Sequence, residues 1–341
     1  MDNTKYYWED TIHYYTAAEN IISQGDFGID PERIEKELPF SIEPVYSIFL
    51  VPFAYFANGN FLWIRIVQEF LYVLSSLMMF LMLLVLVNRN FALFGTFIYL
   101  FYPFYIYFGG VVLTEGIYTP ILFSYVYASF VYLKNDDIKY FYLSIFILAI
   151  LGHIKVQSWS LGLSSMLLFL FMNWKINLKF IGRSVLATSI FLLVCLPWGI
   201  RNYELNDKIS LPRSYGVEQQ ESEMEYRFNE RSSILQNSIN YFSPALTGVD
   251  SKNKFTSSSY NIISILSTSP LLLATLLIPF FFWRNKYMNF LYLTFICYAL
   301  PYLVLFARTR FRIPVDFIMI IFFASLIFIV IEKYFSLKVS K

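Results

Sequence analysis

Charged residues are scarce in this sequence. They make up 15% of its 341 residues, whereas hydrophobic residues make up 57%; an average soluble domain carries about 25% charged residues. This composition excludes an intrinsically disordered chain, which needs low hydrophobicity and high charge. A water-soluble globule could not hide so much apolar surface. The composition therefore predicts an all-α protein that crosses a membrane several times.

Cysteines and nucleotide-binding motifs are equally sparse. Cys195 and Cys297 both lie within long apolar runs, and we interpret them as small buried hydrophobes that specify neither a redox compartment nor a metal site. The sequence contains no zinc-ligand spacing, P-loop, G-x-S-x-G elbow or dinucleotide fingerprint. A nucleotide-using cytoplasmic enzyme is also disfavoured, because the loops expected on that side are only a few residues long. No nucleic-acid partner is expected, and no cofactor is specified, although a divalent metal stays open.

Nine apolar stretches predict membrane-spanning helices, because about 20 residues of helix cross a hydrocarbon core of about 30 Å. They cover residues 62–87, 91–108, 117–133, 140–152, 157–173, 184–200, 262–282, 288–306 and 313–332. The shorter stretch 44–57 contains two prolines and predicts a re-entrant or interfacial helix. The chain thus divides into an outer segment 1–58, helices 59–200, a large outer loop 201–261, and C-terminal helices with a cytoplasmic tail, 262–341.

The loop charges predict the orientation of these spans. If the nine spans alternate, most loop lysines and arginines fall on one side, which the positive-inside rule makes cytoplasmic. We therefore expect a plasma or bacterial inner membrane protein whose active site faces the periplasm or the exterior. Residues 1–43 contain no apolar segment that could lead them across the membrane, so we also expect that one leading span is missing from this sequence.

An amphipathic helix is predicted over residues 10–24. Apolar residues recur at helical spacing from Tyr14 to Ile22, and Gly25 follows as a C-terminal stop. Because this helix is too weakly apolar to span, it should lie on the membrane surface and hold Asp10 at the mouth of the bundle. Asp10 is then either a helix cap or a catalytic carboxylate.

Charged side chains at membrane depth are functional candidates, because their burial in lipid is costly. Arg65 and Glu69 lie one helical turn apart and either pair with each other or serve a site. Glu115 opens a span and is either a first-turn helix acid or a functional group. His153 and Lys155 interrupt an apolar run, where Lys155 either snorkels to the surface or contacts a ligand.

Three arginines at alternate positions predict a cationic patch at the outer surface. Arg308, Arg310 and Arg312 precede Pro314, and Arg201 follows a Pro-Trp pair at another helix end. Guanidinium groups match phosphate oxygens bidentately. The patch therefore predicts either a phosphate or pyrophosphate ligand, or contact with anionic lipid headgroups.

Four patterns, taken together, resemble the polytopic glycosyltransferases of the GT-C fold, in the family of protein mannosyltransferases and bacterial aminoarabinose transferases. The patterns are DTIHYYTA at 10–17, EPVY at 43–46 with the later Arg65 and Gln68, TE at 114–115, and PWGIRNY at 197–203 with RFRIP at 310–314. The family's first helix is missing here, and Lys155 stands where the family has an arginine. The resemblance implies a GT-C-like bundle of about nine transmembrane helices with amphipathic helices on the outer face.

The resemblance also implies an activity: inverting transfer of a sugar from a polyprenyl-phosphate donor to a lipid, glycan or protein acceptor. It makes Asp10 the general base and Glu115 its catalytic partner. The expected donor-phosphate ligands are Arg308, Arg310, Arg312, Lys155, Arg201 and Arg65, and the expected sugar or acceptor contacts are Tyr14, His153 and Tyr215. The alternatives are a transporter or flippase of a lipid-linked saccharide, or a non-catalytic binder of one; neither needs Asp10.

Overall fold

The structure, a computed structural model, describes residues 9–25, 43–57, 60–173, 175, 177–206, 233–245 and 258–339. The described residues form helices and no strand. The helices are α1 Glu9–Gln24, α2 Pro44–Ala57, α3 Leu62–Leu86, α4 Arg89–Leu100, α5 Pro103–Gly109, α6 Glu115–Asn135, α7 Ile138–Gly152, α8 Leu161–Met172, α9 Leu178–Asn206, α10 Ile234–Phe242, α11 Ser258–Phe282, α12 Lys286–Val304, α13 Thr309–Arg312 and α14 Asp316–Val339. Two 3-10 helices, Val156–Ser160 and Ile313–Val315, lead into α8 and α14.

Six helices in the described part of the chain are long and apolar enough to cross a membrane, which makes this a multi-pass membrane protein. The helices α4 and α5 provide a seventh span if the 47° bend between them lies within one crossing. The expected count of nine is not confirmed. The apolar helices Ile138–Gly152 and Val156–Met172 are shorter than the others and fall below the roughly 20 residues that a full crossing needs.

The helix α6 lies at the centre of the bundle and is buried on almost all sides, whereas α9 faces outward along most of its length. Polar contacts join α6 to its neighbours: the Tyr118 hydroxyl lies 2.7 Å from that of Ser158, and the Tyr125 hydroxyl lies 2.7 Å from that of Ser165. Such bonds hold helices together in lipid, where no hydrophobic effect drives them together. A central α6 fixes the place of Glu115 at its N-terminal end.

The predicted helix over 10–24 is confirmed as α1, which ends at Gly25 with a left-handed φ of 72°. The predicted helix over 44–57 is also confirmed, as α2, which continues through Pro52. The two helices pack together, with the rings of Tyr14 and Tyr46 edge to face at 5.1 Å. The Thr11 hydroxyl donates to the Val112 carbonyl at 2.8 Å, which ties α1 to the segment before α6.

The side chain of Gln68, in α3, also holds the segment before α6 in place. Its buried side-chain amide donates to the carbonyls of Gly109 at 2.9 Å and Val111 at 2.8 Å. Its amide oxygen accepts from the Tyr46 hydroxyl at 3.0 Å. One side chain therefore satisfies backbone carbonyls at the end of α5 and just after it, and links α2 with α3, which positions the start of α6.

We expect Gly116→Ala to lower the stability of the protein by about 1–3 kcal/mol, the range for overpacking a tight core. A Cβ at Gly116 would lie 2.3 Å from the amide carbon of Gln68, whose hydrogen bonds prevent an easy retreat. Gly182 on α9 is the matched control, because a Cβ there meets nothing within 4 Å. Unfolding in detergent micelles should show a loss for Gly116→Ala and none for Gly182→Ala; equal effects would contradict the packing argument.

Candidate functional site

A cavity of about 260 Å³ lies at the end of the bundle where α6 begins. Its polar lining residues come from five separate stretches of the chain: Asp10, Tyr14, Glu43, Thr114, Lys155, Gln157 and Arg310. Its aromatic wall consists of Tyr302, Phe306 and Phe311. The lining is mostly polar, with an aromatic wall on one side, and the volume is near the lower end of the range of about 300–1,000 Å³ that is usual for small-molecule sites.

Glu115 lies behind the cavity rather than in its lining. Its side chain is 1% exposed, and its Oε1 lies 2.7 Å from the Lys155 ammonium and 3.4 Å from Nε of Arg310. The Thr114 hydroxyl donates to its other oxygen at 3.1 Å. A buried carboxylate thus holds two cations side by side, and both of these cations line the cavity.

The turn after α7 places Lys155. The Val45 amide at the start of α2 donates to the His153 carbonyl at 3.2 Å, and the Lys155 amide donates to the Leu151 carbonyl at 2.8 Å. The Lys155 ammonium lies 5.4 Å from the ring centre of Tyr118. Aromatic faces attract cations, so backbone and ring contacts together direct this side chain to Glu115.

Asp10 meets Arg310 across 300 positions of sequence. The Oδ2 of Asp10 lies 3.3 Å from a terminal nitrogen of Arg310. The Asp10 side chain is 49% exposed, whereas that of Arg310 is 12% exposed. Asp10 is the second residue of α1, where the helix dipole also stabilises a negative charge. Asp10 is therefore a carboxylate that a ligand can reach, and Arg310 bridges it to Glu115.

The three arginines of the predicted patch diverge. Residues 309–312 form the short helix α13, in which side chains two positions apart point about 200° away from each other. Arg310 faces the cavity. Arg312 is fully buried on the other side, where its Nε lies 2.9 Å from Asp316 and its NH1 donates to the carbonyls of Tyr241 and Ser243 at 3.0 and 2.8 Å.

The remaining predicted phosphate ligands do not line the cavity. Arg308 precedes α13 in an extended conformation, and its guanidinium lies 4.9 Å from the ring of Phe306. Arg201 stacks on Trp198 at 4.6 Å near the end of α9. Arg65 lies in the first turn of α3 and forms no ion pair with Glu69 among the described residues; the Glu69 carboxylate packs against Gly109 instead.

Among the predicted sugar contacts, one lines the cavity and another does not. Tyr14 lines the cavity, and burial together with the Glu43 carboxylate raises the pKa of its hydroxyl well above the usual value. The hydroxyl therefore stays neutral and able to donate. His153 is buried outside the cavity lining, and Tyr215 lies outside the described residues.

Glu43 and Gln157 both line the cavity, although the sequence did not predict either of them as a site residue. Glu43 is 8% exposed and directly precedes Pro44 at the start of α2. An acidic residue at the edge of an apolar helix is a sequence signal that could have identified it. With Glu43, three carboxylates and two cations surround the cavity. In the described part of the chain, no group of three or more His, Cys, Asp or Glu side chains could hold a metal ion.

His153 predicts a dependence of stability on pH. Burial lowers its pKa to about 4, and neither ring nitrogen has a hydrogen-bond partner in the described structure. The unfolded chain binds this proton near pH 6.5, so more protons bind to the unfolded state between pH 6.5 and 4. The stability due to neutral His153 is therefore present above pH 6.5 and is lost as the pH falls toward 4.

Thermal unfolding of the protein in detergent at pH 7.5 and pH 5 would measure this effect. His153→Gln should reduce the difference between the two unfolding midpoints, because glutamine does not titrate. His13→Gln, which removes the other histidine of the chain, should leave the difference in place. Equal pH dependence in the wild-type protein and His153→Gln would show that other groups cause it.

No protein-family model, curated protein sequence or solved structure matches this chain significantly.

Proposed function

We propose that this protein is a membrane glycosyltransferase that moves a sugar from a polyprenyl-phosphate donor to an acceptor at the outer face of the membrane. The observation that carries the proposal is the cavity at the start of α6. It combines a half-exposed carboxylate, Asp10, with two cations, Lys155 and Arg310, which the buried Glu115 holds together. A base beside a phosphate-binding pair is the arrangement that such a transfer requires.

In the proposed reaction, Lys155 and Arg310 bind the donor phosphate. They also stabilise the negative charge that grows on it as the bond between the anomeric carbon and the phosphate oxygen breaks. Asp10 accepts the proton of the acceptor hydroxyl or amine as that atom attacks the anomeric carbon. The products are the glycosylated acceptor and the polyprenyl phosphate. One base and no covalent intermediate give inversion at the anomeric carbon.

Glu115 acts in this proposal as a positioning residue. Its 1% exposure keeps it from the substrate, but its contacts set the separation and direction of Lys155 and Arg310. The same geometry gives Arg312 a structural role in the bundle, which leaves Lys155 and Arg310 as the donor-phosphate ligands.

The charge balance predicts an order of events. The three carboxylates Asp10, Glu43 and Glu115 outnumber the two cations, so a donor phosphate competes with Asp10 for Arg310. When the phosphate takes up Arg310, the Asp10 carboxylate is released from its 3.3 Å contact. The base thus becomes available only after the donor has bound.

The test uses the purified full chain in detergent, incubated with radiolabelled polyprenyl-phosphate sugars of several classes. We expect release of label from lipid with one donor class, and an inverted anomeric configuration in the product. Tight donor binding without release would contradict the enzyme and favour a non-catalytic binder. Movement of the intact lipid-linked sugar across a liposome bilayer, again without release, would favour the flippase.

A further inference from the structure

A second cavity lies at the opposite end of α6. It has a volume of about 360 Å³ and is enclosed by α6, α8 and α12. Its walls are apolar and include Leu133, Leu168, Phe171, Phe290 and Leu293. Since α6 has 21 residues, about 30 Å of helix separates this cavity from the candidate site.

The mouth of this cavity is cationic. Arg284 and Lys286 both line it. The Lys286 ammonium donates to the Leu133 carbonyl at 3.1 Å, and the Arg284 guanidinium lies 4.7 Å from the ring of Trp283. Both cations are thus held by neutral groups, and no acidic residue is among those that line the cavity. Asp137, two residues after the end of α6, pairs with Lys139 at 2.8 Å.

We propose that this cavity binds an anionic diacyl phospholipid, with an acyl chain against the apolar wall and the phosphate at Arg284 and Lys286. Charge complementarity selects the headgroup, because basic pockets between transmembrane helices bind anionic lipid headgroups. The exposed Trp283 also indicates that the mouth of the cavity lies at the level of the headgroups, since tryptophan prefers the boundary between membrane and water. The proposal does not depend on sugar transfer.

The test compares palmitoyl-oleoyl phosphatidylglycerol with phosphatidylcholine of the same chains. Native mass spectrometry of the full chain in a non-ionic detergent measures the bound fraction of each lipid. Each cation near the membrane surface is worth about fivefold in affinity, so we expect the wild-type protein to prefer phosphatidylglycerol about 25-fold. Arg284→Gln with Lys286→Gln should remove that preference, whereas Arg89→Gln, at an exposed arginine outside this cavity, should keep it.

Leu293→Trp tests the cavity itself, because a larger side chain fills the space for the acyl chain. It should lower the binding of both lipids, with little change in the unfolding temperature. Equal binding of both lipids by the wild-type protein would overturn the proposal, as would an unchanged preference in the double variant. The proposal would also be overturned if the wild-type protein formed a dimer without bound lipid and Leu293→Trp dissociated that dimer. The cavity would then bind a second copy of the chain.

Discussion

We expect Asp10→Asn to slow sugar transfer by about 10²–10⁴-fold, the usual contribution of a general base. Asparagine has nearly the same shape as aspartate and can still accept the hydrogen bond that Arg310 donates at 3.3 Å. It cannot accept the proton of the acceptor. The variant should therefore keep the geometry of the cavity and lose only the chemical step.

Two measurements separate this loss from a loss of binding. Single-turnover release of labelled sugar reports the chemical step, and equilibrium binding of the same donor reports the phosphate site. Donor affinity should be unchanged or higher in Asp10→Asn, because a neutral side chain competes less with the phosphate for Arg310. An equal fall in binding and in release would place Asp10 in the binding site instead of the chemical step.

Glu19→Gln is the matched control. Glu19 is an exposed carboxylate on the same helix and does not line the cavity. Its replacement should change neither the rate of release nor donor affinity. If Glu19→Gln and Asp10→Asn slow transfer equally, the charge of α1 as a whole matters, and Asp10 is not the base.

The second large effect concerns stability. Arg312→Met should lower the free energy of unfolding by about 3–5 kcal/mol, because the loss of one partner leaves a buried charge uncompensated. Arg312 and Asp316 are both 0% exposed. Without the guanidinium, Asp316 keeps only the Tyr102 hydroxyl at 2.7 Å among its described partners, and the carbonyls of Tyr241 and Ser243 lose their donor.

A double variant distinguishes this mechanism from a general packing defect. Arg312→Met with Asp316→Leu removes the uncompensated charge and should recover part of the lost stability, while the carbonyls of Tyr241 and Ser243 still lack their donor. Chemical unfolding in detergent micelles gives the free energies, with Arg89→Met, at an exposed arginine, as a control that changes little. A double variant less stable than Arg312→Met would contradict the uncompensated-charge argument.

The membrane character and the helices near the candidate site could be predicted from sequence, because both depend on local patterns. The spacing of apolar residues predicted α1, and the apolar run with two prolines predicted α2. The count of spans was less predictable. A hydropathy pattern does not show where the backbone ends a helix, so two stretches predicted to span are the short helices Ile138–Gly152 and Val156–Met172.

The candidate site was predictable only as a set of charges. Glu115 and Lys155 were candidates because charge at membrane depth is costly, Asp10 because it begins a surface helix, and Arg310 because it belongs to a run of alternating arginines. Their assembly was not predictable, because it depends on long-range contacts such as that of Thr11 with Val112. The alternating positions of the three arginines also do not show where their side chains point, because the helical turn of α13 sets those orientations.

The sequence by itself determined that this chain is helical, that it belongs in a membrane and that it contains few charges. These properties follow from composition and from the period of the apolar residues. Only the tertiary structure decided which charges meet. The packing of α1 and α2 against the start of α6 brings Asp10 to Arg310. The side chain of Arg312 is buried in the bundle, where it pairs with Asp316. Each buried charge needs a partner, but the packing of the helices selects which one it has.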